Sequence, residues 1–273
     1  MDPLSPSLVR RIAWRDLVPM RPRDGVVECL HPLPWLLASW WCASAGLWAL
    51  AMLCSFMFFL TALRLNHEAI HRNLGFRTRG HRRVVNGLSL VMLGSNTAIS
   101  FNHLRHHAHV GQPEDVEGKC GQMTLWRVLA YGPLFPLQLY RTAWTRGGPR
   151  VKRGMAIDLA LNGAMVGTAV TTGATPLLYH LAAMAAAQCL TALFAVWITH
   201  RGCHGERLIA RTQRSALVNF VTYNMFYHLE HHLFPAVPVK RLGRLAERLD
   251  KAVPELAAEA RRVVRPDTLR RIS

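Results

Sequence analysis

The sequence predicts an all-helical integral membrane protein, with about four transmembrane helices and a helical cap on the cytoplasmic side. Three observations carry this. The chain of 273 residues is 51% hydrophobic yet holds 33 Lys and Arg against 16 Asp and Glu, a net charge of +17. Its apolar residues are gathered into long uncharged runs, and its basic residues into the segments that flank them. Eight of its fourteen histidines fall in three tight groups at the edges of those runs. Bases confined to one side of apolar spans follow the positive-inside pattern. They form no aromatic-interleaved stripe of the kind that binds nucleic acid, so no nucleic-acid partner is expected. The six cysteines make no CxxC pair, so neither a disulfide framework nor a zinc knuckle is implied. The N-terminus has no apolar core ahead of its arginines and is not a cleavable signal peptide.

Residues 1–31 are polar, Pro-rich and basic, and read as a cytoplasmic tail near the membrane surface. Residues 32–273 then form the membrane domain. From Leu33 to Leu63 no residue is charged. This run is long for one span of about 20 residues and short for two. Basic segments on both sides require an even number of crossings, which favours two short helices turning near Gly46. One tilted span of about 30 residues is the alternative. Val84 to Phe101 is apolar but interrupted by Asn86, Asn96 and two glycines, and is expected to dip in without crossing. Met155 to Thr172 and Pro176 to Thr199 form a second hairpin around Gly173, with Asp158 near the basic end where it can reach the interface. The hairpins at about 33–63 and 155–199 leave residues 64–154 and 200–273 for the cap.

The histidine groups are HEAIH (His67, His71), HLRHH (His103, His106, His107) and HLEHH (His228, His231, His232). On a helix, positions three or four apart share a face, so each group is expected to aim its rings at one point. Neutral imidazole ligates iron, zinc or copper. A single HxxxH also occurs as two interfacial histidines at a helix end. Three groups that the topology gathers on one face point to metal. A structural zinc takes four ligands and a catalytic one three, so eight convergent imidazoles suit two metals. Glu68, Glu230 and the cluster Glu114-Asp115-Glu117 are candidates to orient the ligand rings from behind, although a solvated loop explains the last three equally well. Asn224 precedes His228 by four residues and reads either as the holder of a metal-bound water or as a cap. Trp35, Trp40, Trp41 and Trp48 read as interface and packing residues rather than a substrate channel.

The order HxxxH, HxxHH, HxxHH around a membrane hairpin, with Leu233-Phe234-Pro235 and Pro238 after the last box, resembles the integral-membrane fatty acid desaturase and hydroxylase superfamily over roughly residues 30–250. The resemblance implies four transmembrane helices and a cytoplasmic cap holding two non-haem irons. It implies O2 as co-substrate and electrons from an external ferredoxin or cytochrome b5. It makes the chain an oxidoreductase of a bacterial inner membrane, working among membrane lipids. The expected reaction is introduction of a C=C bond into a fatty-acyl or other lipid-like chain. The boxes also suit a hydroxylase or ketolase of an apolar substrate such as a carotenoid or alkane. A histidine-lined metal transporter is disfavoured, because its ligands would lie near the bilayer midplane. The resemblance further implies a ninth ligand at the cytoplasmic end of the last transmembrane helix. His31, His81, His109 and His180 lack the position or spacing for it. His200 directly follows the apolar run and is expected to be the ligand, with His204, beyond Gly202, beside it or at the surface.

Overall fold

The computed structural model describes residues 12–203, 208–254 and 263. The expectations for residues 1–11 and for His204 lie outside them. The regular structure of the described residues is helical, with no strand and one isolated bridge residue at Thr212. Three helices are long and apolar enough to cross a membrane, by length and composition: Trp48–Ile70, Pro149–Thr172 and Thr175–His200.

Helix α1 (Pro22–Leu30) leads into α2 (Leu33–Ser44), and a turn at Gly46 reverses the chain into α3 (Trp48–Ile70). Gly46 has φ +73°, a left-handed conformation that costs glycine nothing. The turn stands where the sequence placed it, but the arms are unequal. α2 has 12 residues, about 18 Å at 1.5 Å each, which is short of a hydrocarbon core about 30 Å thick. α3 has 23 residues, and its last turns leave the apolar layer to carry Arg64, His67 and Glu68 into the cap.

The described part of the N-terminal stretch packs against the cap. Ile12 and Leu17 pack with Leu229, Phe234, Val239 and Leu242 of the cap. In α1, Glu28 is buried and ion-paired with buried Arg64 of α3, with His31 Nδ1 3.3 Å from the same carboxylate. Arg64 also donates from Nε to the carbonyl of Tyr223, at 2.9 Å. Removing one member of such a pair strands a buried charge at a cost of about 3–5 kcal/mol, whereas removing both can be nearly neutral. Arg64→Met is therefore expected to lose most of the protein's stability margin, and Arg64→Met with Glu28→Met to recover part of it. Denaturant unfolding in detergent checks this; single variants no less stable than the double would refute it.

Helices α4 (Thr78–Met92) and α5 (Asn96–His109) are bent by 117° at Leu93–Ser95. His71, ahead of α4, and His103, on α5, meet at 3.0 Å. The segment thus enters and returns to the same end, as its asparagines and glycines suggested. The bend exposes backbone groups that a bilayer cannot satisfy, and polar side chains from three later helices serve them. The first two are α7 (Leu134–Arg146), which follows the short α6 (Leu125–Tyr131), and α8 (Pro149–Thr172). The third is α9 (Thr175–His200). Gln188 Nε2 donates to Met92 O (2.8 Å) and His180 Nε2 to Val91 O (2.7 Å). The Ser95 N–H donates to the Tyr140 hydroxyl (2.9 Å) and the Thr97 N–H to Asp158 Oδ2 (3.0 Å). Asp158 does not reach the interface as its place in the sequence suggested. It is fully buried, and its carboxylate caps the positive N-terminal end of α5.

α9 contains a π-helical stretch, Ala192–Trp197, immediately before Ile198–His200. Such a stretch inserts a residue into the turn and re-aims the side chains beyond it, often at a functional site. The chain then returns through α10 (Ala216–Val221) to α11 (His228–Leu233) and the amphipathic α12 (Leu242–Ala252). Of the tryptophans, Trp41 and Trp48 are exposed on the apolar layer, Trp40 packs edge-on to His180, and Trp35 donates to the Tyr223 hydroxyl. All six cysteines are free.

Candidate metal centre

The end of α3, the C-terminal half of α5, the end of α9 and the short α11 meet at one place, and all nine histidines singled out in the sequence stand there. They form two sets. In the first, His67, His71, His103, His107 and His231 bring one ring nitrogen each within 4.8 Å of the others. Its Nε2 atoms pair at 2.9 Å (His67 with His231), 3.0 Å (His71 with His103) and 2.9 Å (His107 with His231). In the second, His106, His200 and His232 meet the same limit. His228 joins them, with its Nε2 at 2.9 Å from that of His200 and 3.1 Å from that of His232.

The second and third boxes do not each aim at one point, as their spacing suggested. His103 and His107 face one set while His106 faces the other; His231 is separated in the same way from His228 and His232. Adjacent residues on a helix point about 100° apart, so an HH pair in a box reaches two centres at once. Only the first box, four residues apart on α3, serves a single set.

The outer ring nitrogens show which tautomer three of the rings adopt. His103 Nδ1 donates to Glu117 Oε1 at 2.9 Å and His106 Nδ1 to Asp115 Oδ2 at 2.8 Å. His200 Nδ1 lies 2.9 Å from the carbonyl oxygen of Ile209, which can only accept. In each neutral ring the inner Nε2 then carries the lone pair. His106 and His200 turn those lone pairs toward each other across 3.2 Å. Two lone pairs at that distance repel, and a cation between them turns the repulsion into two bonds. Burial, and after it the neighbouring imidazoles, pushes the pKa of His228, His231 and His232 well below the ordinary histidine value. The rings are thereby held in the neutral form that ligates metal. The donor set fits two metal ions with nitrogen ligands.

Asp115 and Glu117 are buried behind the rings, while Glu114 is exposed. Asp115 is itself fixed, since its Oδ1 accepts from the Gly118 N–H at 2.8 Å. Glu68 and Glu230, expected behind the rings as well, both accept from groups of the cap. Glu68 Oε2 accepts from the Val239 N–H at 3.0 Å, and Glu230 accepts from Thr212 Oγ1 (2.7 Å) and Arg214 (2.6 Å). Both are buried; Glu230 anchors cap side chains, whereas Glu68 holds cap backbone with one oxygen and keeps the other, Oε1, 3.9 Å from Nδ1 of His67. Asn224 is not on the face of His228, because residues 222–227 turn rather than continue a helix, with Tyr223 and Asn224 both at positive φ. His31, His81, His109 and His180 all lie outside the two sets; the first three bond locally and His180 bonds to the Val91 carbonyl.

A narrow apolar cavity of about 80 Å³ opens beside the rings. His67, His103 and His228 line it together with Asn66 and Glu117, and Leu60, Leu63, Ile99, Phe135, Leu139 and Phe226 are among its apolar walls. Sequence reasoning did not find these wall residues. They come from separate elements, and nothing in their type distinguishes them from core.

A membrane-spanning scaffold, two facing sets of buried imidazoles and an apolar slot beside them agree with the comparison against known families. Residues 38–262 match the fatty acid desaturase family. No curated protein matches the chain. The matched stretch holds all nine histidines, and the chain belongs to the fatty acid desaturase family, a family of membrane oxidoreductases.

Proposed function

We propose that the protein is an O2-dependent di-iron desaturase that introduces a C=C bond into an acyl or similar lipid chain. The observation that supports this most directly is the pairing of two imidazole sets with an apolar slot that ends on them. His67, His71, His103, His107 and His231 would hold one iron, and His106, His200, His228 and His232 the other. When bound, the iron pair supplies O2-dependent removal of hydrogen from an unactivated C–H bond, which acid–base groups alone cannot achieve. The chain's own residues do the rest. Asp115, Glu117 and the carbonyl of Ile209 fix the tautomer and aim of three rings. Leu60, Leu63, Phe135 and Leu139 exclude water and hold an extended hydrocarbon against His67, His103 and His228. Electrons come from a separate ferredoxin or cytochrome b5. The decisive measurement is product mass with iron-loaded protein, O2, a donor system and an acyl lipid. Loss of two hydrogens is the expected result, and gain of one oxygen would make the enzyme a hydroxylase.

The same reading divides the chain into an N-terminal segment to residue 31 and a membrane domain from 32, with the cap in the cytoplasm. The basic flanks at residues 72–83, 141–153 and 211–214 lie at the cap end of the spans, which supports that orientation. A phosphatase or fluorescent reporter at each terminus is expected to report the cytoplasm. Activity only on the outer face would reverse the assignment.

A further inference from the structure

On the opposite side of the α3–α5 contact from the apolar slot lies an open groove of about 720 Å³. Four arginines line it: Arg72 after the first box, Arg82 on α4, and Arg150 and Arg153 at the start of α8. No carboxylate lines the groove. Three features show that the cationic lining is built. Arg72 sits at φ 61°, a left-handed conformation that costs a non-glycine residue about 1–3 kcal/mol. Gly154, also in the lining, lets α8 approach α5 closely, since a Cβ there would stand 2.7 Å from Thr97 Cγ2. The arginines also stand where α8 passes from its basic start into its apolar run, with Ile157 on the groove wall. Long basic side chains beside an apolar run suit the level at which headgroups meet acyl chains. Ile70 lines both the groove and the apolar slot.

We propose that this groove binds the net-anionic headgroup of a membrane phospholipid, whose acyl chain passes Ile70 into the slot beside the histidines. The proposal rests on the desaturase reading for what happens to the chain, but not for the binding itself. It makes the substrate an acyl chain still esterified to an anionic headgroup, rather than a headgroup-free hydrocarbon.

The test uses full-length protein in phosphatidylcholine nanodiscs with a trace of phosphatidylglycerol carrying a mid-chain diazirine. After illumination, cross-links are expected on the slot-lining peptides of α3 and α7. Arg82→Gln with Arg153→Gln is expected to lower that yield by on the order of tenfold, and the Arg→Lys pair to keep most of it. A phosphatidylcholine analogue with the same diazirine should label the slot weakly in all three proteins. Equal labelling of wild type and the Gln variant would overturn the proposal. So would cross-links confined to the outer faces of α8 and α9, which would mark surface lipid only. A Gln variant that keeps its slot labelling but loses binding of an acidic electron-donor protein would also overturn it, assigning the groove to the donor. The readout needs neither iron nor turnover. Slot labelling without any product therefore counts against desaturation alone, and product formation without arginine-dependent labelling counts against this site alone.

Discussion

Protein purified from iron-replete cells is expected to carry two irons per chain, one for each imidazole set, and His200→Ala to lose iron together with all measurable turnover. His200 carries this prediction because it meets all three other rings of its set. Its Nε2 lies 3.2 Å from that of His106 and 2.9 Å from that of His228, and its ring centroid is 4.8 Å from that of His232. The four-histidine set has no further imidazole to substitute for it, whereas the other set has five. Alanine also removes the Nδ1 bond to Ile209, so the variant must be shown folded by its gel-filtration profile before iron is counted. His204→Ala serves as the comparator. If His200→Ala retained full iron and turnover while His204→Ala lost both, the ligand assignment would be wrong. Stoichiometric zinc, with no activity after iron reconstitution, would sink the di-iron reading as a whole. Zinc is the weaker candidate on ligand count, since a structural zinc takes four ligands and a catalytic one three.

The eight box histidines could be picked out in the sequence because each box is local, whereas His200 came from the family resemblance and its place at the end of the last apolar run. Spacing of three or four on a helix fixes a face without any knowledge of the rest of the fold. The turn at Gly46 and the return of the 84–101 segment were legible for a similar reason, since charge parity and interrupted apolar runs are local signals. The assignment of rings to centres was not legible. It depends on how α5 and α11 are rotated about their axes, which packing decides. The same holds for Asp158, for Glu230 and for Glu68 in the oxygen that it turns to the cap. Each is an acid in a chain with few acids, and each looked like an interface or ring-orienting residue. The structure spends Asp158 on the N-terminus of α5, Glu68 on the Val239 amide and Glu230 on Thr212 and Arg214. Those partners are 61, 171 and 18 or fewer residues away. The unequal arms of the first hairpin were hidden because the same apolar composition serves a helix that crosses and one too short to cross.

The carboxylates behind the rings give the second large effect. Asp115→Asn and Glu117→Gln are each expected to lower iron affinity or turnover by about 10–100-fold, the usual cost of losing a partner that orients a metal-bound histidine. Neither change removes a ligand and neither alters side-chain volume much, so a loss reports on orientation. With Asp115→Asn, the amide either presents its own N–H to His106 Nδ1 or turns its oxygen there as a neutral, weaker acceptor. The first outcome flips the tautomer, and Nε2 then carries a proton where the metal needs a lone pair. The second keeps the tautomer but removes the negative charge that makes the ring a better donor. Asp115 also holds the Gly118 amide, and so shapes the loop that delivers Glu117 to His103. Asp115→Asn should therefore be the more damaging of the two. Glu114→Gln, at an exposed position just before the loop turns inward, should leave iron content unchanged. The comparison separates ring-orienting carboxylates from a solvated acidic loop. Equal, near-wild-type iron content in all three variants would show that the loop is only solvated charge, and that metal binding sets the ring orientations without help from behind.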